Sequence, residues 1–220
     1  MRQILVCVLA VARAAAADPC KPAETVAVIL SPANTALDPN EGVVVGLVPR
    51  TQPGQVAISD LAKWHFHGDA QAQITELAPG LAALRPLARS GSPVLEDAYG
   101  KRLLTLATQP ALPLQHRRGP ELKASAIVRG ADGVTRVMLD EAPPRDVVAV
   151  VFYGDDVVAN PLAAPLGWTR VTDHAAKSIA LDPRGNCAWT LPEVGHSLAL
   201  EYVNATDDHA VPKTFVVTAK

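Results

Sequence analysis

Apolar residues fall along this chain in short runs, several of them alternating with polar ones, and each run is stopped by proline, glycine, asparagine or aspartate. That pattern predicts β-strands joined by turns. Residues 24–30 (ETVAVIL) form the first expected strand, stopped at Ser31-Pro32, and 42–48 form the second after a turn carrying Pro39, Asn40 and Gly42. Residues 55–58 and 64–67 are shorter candidates. Residues 70–77 alternate small or apolar with polar positions, as a half-exposed strand does, while 81–87 read either as one helical turn or as a strand edge. Strands at 94–97 and 103–108 close this half. Further on, 123–129 and 134–139 are predicted to pair across Gly130-Ala131-Asp132-Gly133, because Asp-Gly favours tight hairpin turns. Residues 147–153 (VVAVVFY) are apolar without interruption, which predicts a central strand buried on both faces. Residues 155–167 read as loop, 175–181 and 187–191 as strands.

Between Ala107 and Leu122 the pattern fails. Pro110, Pro113 and Pro120, Gly119 and the pair Arg117-Arg118 cannot continue a ladder, since proline lacks the donor N–H and biases its predecessor toward extended geometry. The expected organisation is therefore all-β: a signal peptide over 1–17, a first sandwich over 18–108, a linker over 109–121 and a second sandwich over 122–220. Each sandwich is expected to fill its own interior between stacked antiparallel sheets, leaving no room for a reactive cleft.

Two stretches carry a resemblance. LSPANTALDPNEGVVV, with the later ALRPLARSG, looks like the first hairpin and the penultimate-strand approach of bacterial immunoglobulin-like domains, across roughly residues 24–108. LPEVGHSLALEYVNAT (191–206), followed by TFVVTA (214–219), is similar to the last two strands of fibronectin type III domains. On such a strand Leu198, Leu200 and Tyr202 share one face and Ala199, Glu201 and Val203 the other. The resemblance implies a sandwich used for adhesion, spacing or partner binding, and names no partner.

The opening residues set the expected compartment. Met1-Arg2-Gln3 is a basic start, residues 4–12 are apolar, and Ala14 to Ala17 are small, which is the layout of a cleaved secretory signal with the cut expected after Ala17. Nine apolar residues of helix span about 14 Å, roughly half a bilayer core, so no membrane span is expected in the mature chain. Losing Arg2 and Arg13 leaves 18 basic against 22 acidic residues. Nothing in that scattered balance suggests nucleic acid or an anionic membrane surface as a partner, and the protein or cell-surface partner expected is the kind the resemblance implies. Cys20 and Cys187 are the cysteines left after cleavage, and an oxidising compartment makes their disulfide the default. Such a bridge would close a loop of about 167 residues, worth up to ~5 kcal/mol, and would require the two units to fold back on each other. Two free or intermolecular thiols are the alternative. With aromatics at 4%, the cores must be built from Val, Leu, Ile and Ala, while 19 prolines and 14 glycines supply the turns.

Little in the sequence points to a reaction. There is no GxSxG, no GxGxxG and no GxxxxGK[ST], so neither a nucleophile elbow nor a phosphate-cradling loop is expected, and the chain reads as non-catalytic. One constellation invites chemistry: Trp64-His65-Phe66-His67-Gly68-Asp69. On a strand His65 and His67 project from one face with Asp69 next along it, a start for a Cu²⁺ or Zn²⁺ site completed by His174, His196, His209 or an acid. An exposed strand face is the plainer reading, with no cofactor. Asp155-Asp156 and Asp207-Asp208-His209 lack the spacing of a calcium loop and read as solvated turns. Asn204-Ala205-Thr206 is a glycosylation sequon that matters only in a eukaryotic secretory pathway.

Overall fold

A computed structural model describes residues 25–30, 36–37, 43–49, 66–68, 71–87, 91–97, 100–108, 122–154, 163–181, 191–204 and 213–220. Cys20, His65, Asp69, Cys187 and His209, together with 1–17 and 109–121, lie outside the described residues, as do the two acidic loops.

The first half forms two antiparallel sheets. β1 (Thr25–Ile29), β3 (Val43–Pro49), β6 (Leu81–Pro86) and β5 (Ala72–Ala78) pair in that order, and β4 (Phe66–Gly68), β7 (Val94–Asp97) and β8 (Arg102–Thr105) make the second sheet. A short parallel pair, β2 (Ala36–Leu37) with β9 (Ala107–Thr108), accompanies them. The segment that could have been a helical turn is thus the strand β6. Side chains alternate as the pleat requires: Val43, Val45 and Leu47 of β3, with Ala82 and Leu84 of β6, meet Leu95 and Leu106 in the interior of this sandwich.

The second half is a sandwich of four strands on three. β13 (Gly167–Arg170), β12 (Val147–Tyr153), β15 (Ser197–Asn204) and β16 (Lys213–Ala219) are antiparallel neighbours. Opposite them lie β10 (Ala124–Arg129), β11 (Thr135–Leu139) and β14 (Ser178–Ala180). β16 joins the two, pairing with β15 over 213–216 and then in parallel with β10 over 217–219. Its interior is branched aliphatic, with Phe152, Ile127, Val137, Leu198 and Val217 fully buried. This is the sandwich architecture that immunoglobulin and fibronectin type III domains share. β13 begins at Gly167, where the expected loop ends, and the strand expected over 175–181 is shortened to β14 because Asp173 caps the preceding bend, accepting from Ala175 N at 2.8 Å and Ala176 N at 3.2 Å.

The main departure is between the halves. The sequence predicts two separate interiors, yet a third buried layer joins them. Leu30, Val44, Leu77, Ala78, Leu81 and Ala83 of the first sandwich pack against Val148, Ala149, Val151, Trp168 and Val203 of the second. These are the opposite faces of the strands that line the two interiors, so β3 and β12 are each covered on both sides. The uninterrupted apolarity of 147–153 has this cause, and VVVGLV of β3 shares it. Two bulges feed the layer: register shifts at Glu76/Ala78 and at Val147/Ala149 turn Leu77-Ala78 and Val148-Ala149 toward it as consecutive pairs. Trp168 is fully buried there and donates from Nε1 to the carbonyl of Pro79 at 2.9 Å. Burying an indole of this size contributes about 4–6 kcal/mol as an upper bound.

Candidate functional site

One recess among the described residues lies on the outer face of β10, β11 and β14. The register places Ala126 opposite Met138, Met138 opposite Ser178, and Val128 opposite Arg136, so small and apolar side chains occupy outward positions that usually carry charge. Val128, Met138, Asp132, Arg136, Ser178 and Lys220 line a wide, shallow opening of about 350 Å³.

Its charged rim follows from the Asp-Gly hairpin. Gly130 N bonds Val134 O at 3.0 Å, Gly133 N bonds Gly130 O at 2.9 Å, and Gly133 takes φ 76°, a left-handed value that glycine adopts without Cβ strain. This turn points the Asp132 carboxylate back along β11. Its Oδ1 accepts from Val134 N and from Arg136 Nη1, both at 3.1 Å, and its Oδ2 accepts from Arg136 Nη2 at 2.6 Å. The paired guanidinium, then the Val134 amide, hold the Asp132 carboxyl down at about 2, and the same pairing raises Arg136. Both groups keep their charge at any ordinary pH, so they suit orientation of a ligand rather than proton transfer.

A second polar pair sits on the face of β12 and β15 that looks toward the first sandwich. Tyr153 OH donates to Glu201 Oε2 at 2.5 Å. Burial, then the carboxylate partner, pushes the Tyr153 phenol above its usual range. The faces of β15 divide as predicted, with Leu198 and Leu200 in the sandwich interior, Tyr202 packed against it, and Val203 in the shared layer. A narrow crevice beside Leu122, Ala124, Tyr202 and Phe215 holds about 10 Å³, too little for any ligand.

Of the expected metal ligands, His67 lies on β4, exposed, and faces Glu96 across the β4–β7 ladder, with Arg102 next in the row. His174 is used otherwise: its Nδ1 lies 3.0 Å from Pro144 O and 3.3 Å from Pro143 O, so it donates to the loop before β12. His196 is exposed on the turn before β15. Among the described residues no group of three or more His, Cys, Asp or Glu side chains converges. Asn204 of the sequon is buried, 3% exposed, and its Oδ1 has no hydrogen-bond partner among the described residues. The outer recess itself escaped sequence reasoning. Its one signal was the run of outward Val128, Met138, Ser178 and Ala180 where an ordinary solvent face would be charged.

No protein-family model and no curated protein matches the chain. Among solved structures, the fibronectin(III)-like modules of Clostridium thermocellum CbhA are similar over 88% of this chain and 94% of theirs, at 13% identity and a TM-score of 0.26. The FN1–FN3 domains of chicken CNTN1 match over 90% of this chain and 67% of theirs, at 13% identity and TM-score 0.26. The BSP domain of a biofilm-associated protein matches 90% of this chain but 29% of its own, at 11% identity and TM-score 0.28. The second half carries the four-on-three strand arrangement of the immunoglobulin and fibronectin type III sandwich architecture. Among the described residues no helix is long and apolar enough to cross a membrane.

Proposed function

We propose that this chain is an exported, non-catalytic module that binds or spaces a protein or cell-surface partner, with a signal peptide over 1–17, sandwiches over 18–108 and 122–220 and a linker over 109–121. The observation that carries this reading is the character of the outer recess. It is open and shallow, half apolar, and its Asp132 and Arg136 are committed to each other. A face of that kind fits a partner laid across it better than a substrate held within it. Proposed with it is a Cys20–Cys187 disulfide, which intact-mass measurement with and without reductant would report. Mature ¹⁵N-labelled protein titrated with soluble extracellular polysaccharides and peptides is expected to show shifts confined to residues 126–138 and 178–180, with the ligand unchanged. Turnover of any of those ligands, or shifts clustered elsewhere, would overturn the reading.

A second reading is favoured by one observation, the placing of Glu96 beside His67. Zinc or copper bound by His67 and Glu96, with His65 as the further ligand, would be lost in both His67→Ala and Glu96→Gln. Binding that survives both substitutions unchanged ends that idea.

A further inference from the structure

We propose that the two sandwiches act as one rigid strut, in which Trp168, seated against Gly46, fixes the angle between them. Tandem domains ordinarily move against each other unless their interface is large and hydrophobic. Here the buried centre of the shared layer is apolar, with the Tyr153–Glu201 pair at its edge, and each sandwich bends a strand by a bulge to place two consecutive residues in it.

The seat is shaped for its occupant. A β-carbon built on Gly46 would stand 2.6 Å from Cη2 of Trp168, inside any real contact, with Leu30 Cδ1 at 3.2 Å on the other side. The indole cannot swing away at low cost, because it is fully buried and its Nε1–H is held by Pro79 O. That carbonyl belongs to the β5–β6 turn, which is itself pinned where Leu47 N bonds Gly80 O at 2.7 Å. A ring from the second sandwich is thus clamped between a strand and a turn of the first.

Rigidity has a consequence for use. The four sheets stack in one series, with β4-β7-β8 at one outer surface and β10-β11-β14 at the other. Three sheet spacings of about 10 Å separate them, so the row His67–Glu96–Arg102 and the recess by Met138 face opposite ways roughly 30 Å apart. A strut of this kind holds whatever occupies one outer face at a fixed distance from the other.

Calorimetry of the unaltered mature chain tests this first. One transition is expected, with the calorimetric and van't Hoff enthalpies equal for the whole chain; two independent transitions overturn the proposal. Gly46→Leu is expected to displace the indole, redden tryptophan emission, enlarge the radius of gyration by small-angle scattering and split the transition in two. Trp168→Phe, which keeps a ring and loses the bond to Pro79, serves if Gly46→Leu does not fold, and should lower the single midpoint. A Gly46→Leu protein that scatters and melts as the unaltered chain does would also overturn it. So would a Trp168→Phe chain with an unchanged midpoint.

Discussion

β12 has two buried faces, and they are built differently. Under Val150 and Phe152 lies the interior of the second sandwich, filled by Ile, Leu and Val from strands of the same half of the chain. Under Val148, Ala149 and Val151 lies the shared layer, where Ala78, Ala83 and Ala149 leave a thin gap and a single indole fills it. The first face tolerates exchange among aliphatics of similar volume, because many partners share the strain. The second depends on one large side chain meeting one missing β-carbon. Generic burial makes a sandwich; a specific fit fixes how two sandwiches meet.

The largest expected effect lies on the generic side. Phe152→Ala removes a fully buried ring and should cost about 3–5 kcal/mol by urea denaturation. A loss under about 1 kcal/mol would mean the interior closes over the cavity and is less well packed than described. Next comes a matched pair on the same strand. Val150→Ala and Val151→Ala delete the same atoms at 0% and 1% exposure, one from each layer, and each should cost roughly 1.5–3 kcal/mol. Native-state hydrogen exchange separates them. Val151→Ala is expected to speed sub-global opening at Val44 and Ala83 in the first sandwich, whereas Val150→Ala leaves opening there unchanged. Equal acceleration from both would erase the distinction between the layers.

These two layers were not equally legible in the sequence. The uninterrupted run over 147–153 announces burial on both faces, and β12 has it. What covers the second face could not be read, because periodicity says that a face is hidden and never by what. Trp168 illustrates the limit: its hydrogen-bond partner Pro79 is 89 residues away, and β13 is only four residues long, too short for a periodic signal, just after the expected loop over 155–167. The β10–β11 hairpin was legible from Asp132-Gly133 alone, since turn chemistry is local. The recess was not, because it exists only when three strands are set side by side in register. For the same reason His67 could be singled out from its spacing, while Glu96 came into view only with the β4–β7 ladder.

Between the layers and solvent stands the Tyr153–Glu201 pair, and its expected effect is smaller. The folded chain favours the neutral phenol, so its ionisation lies above the ordinary 10. The sign follows: the unfolded chain ionises first, so this group's contribution is complete below pH 10 and declines as pH rises beyond it. Tyrosinate absorbance should show Tyr153 titrating after an exposed tyrosine, and Glu201→Gln should bring it back toward the ordinary value. Tyr153→Phe, which removes the donor, should cost about 1 kcal/mol. A phenol that ionises at its ordinary pH would show that this edge of the layer is wet.

The smallest expected effect belongs to Asp132, which touches neither layer. Its carboxylate, with a side chain 52% exposed, is paired with Arg136 across a solvated turn. The pairing lowers ionisation from 3.8 to about 2, so its contribution is present above pH 4 and is lost as pH falls through about 2. Solvent and salt screen a pair so placed, and its weight in global stability is slight. A ¹³C carboxyl titration should find Asp132 ionising near 2 at low salt and moving upward at high salt. Asp132→Asn should abolish that titration and loosen the turn amides Gly133 and Val134. It should leave the amides of Val150 and Val151 exchanging as before. If those amides exchanged faster, the hairpin would be coupled to the buried strand beneath it, and the division of this molecule into a packed strut and an independent outer face would fail at its most exposed point.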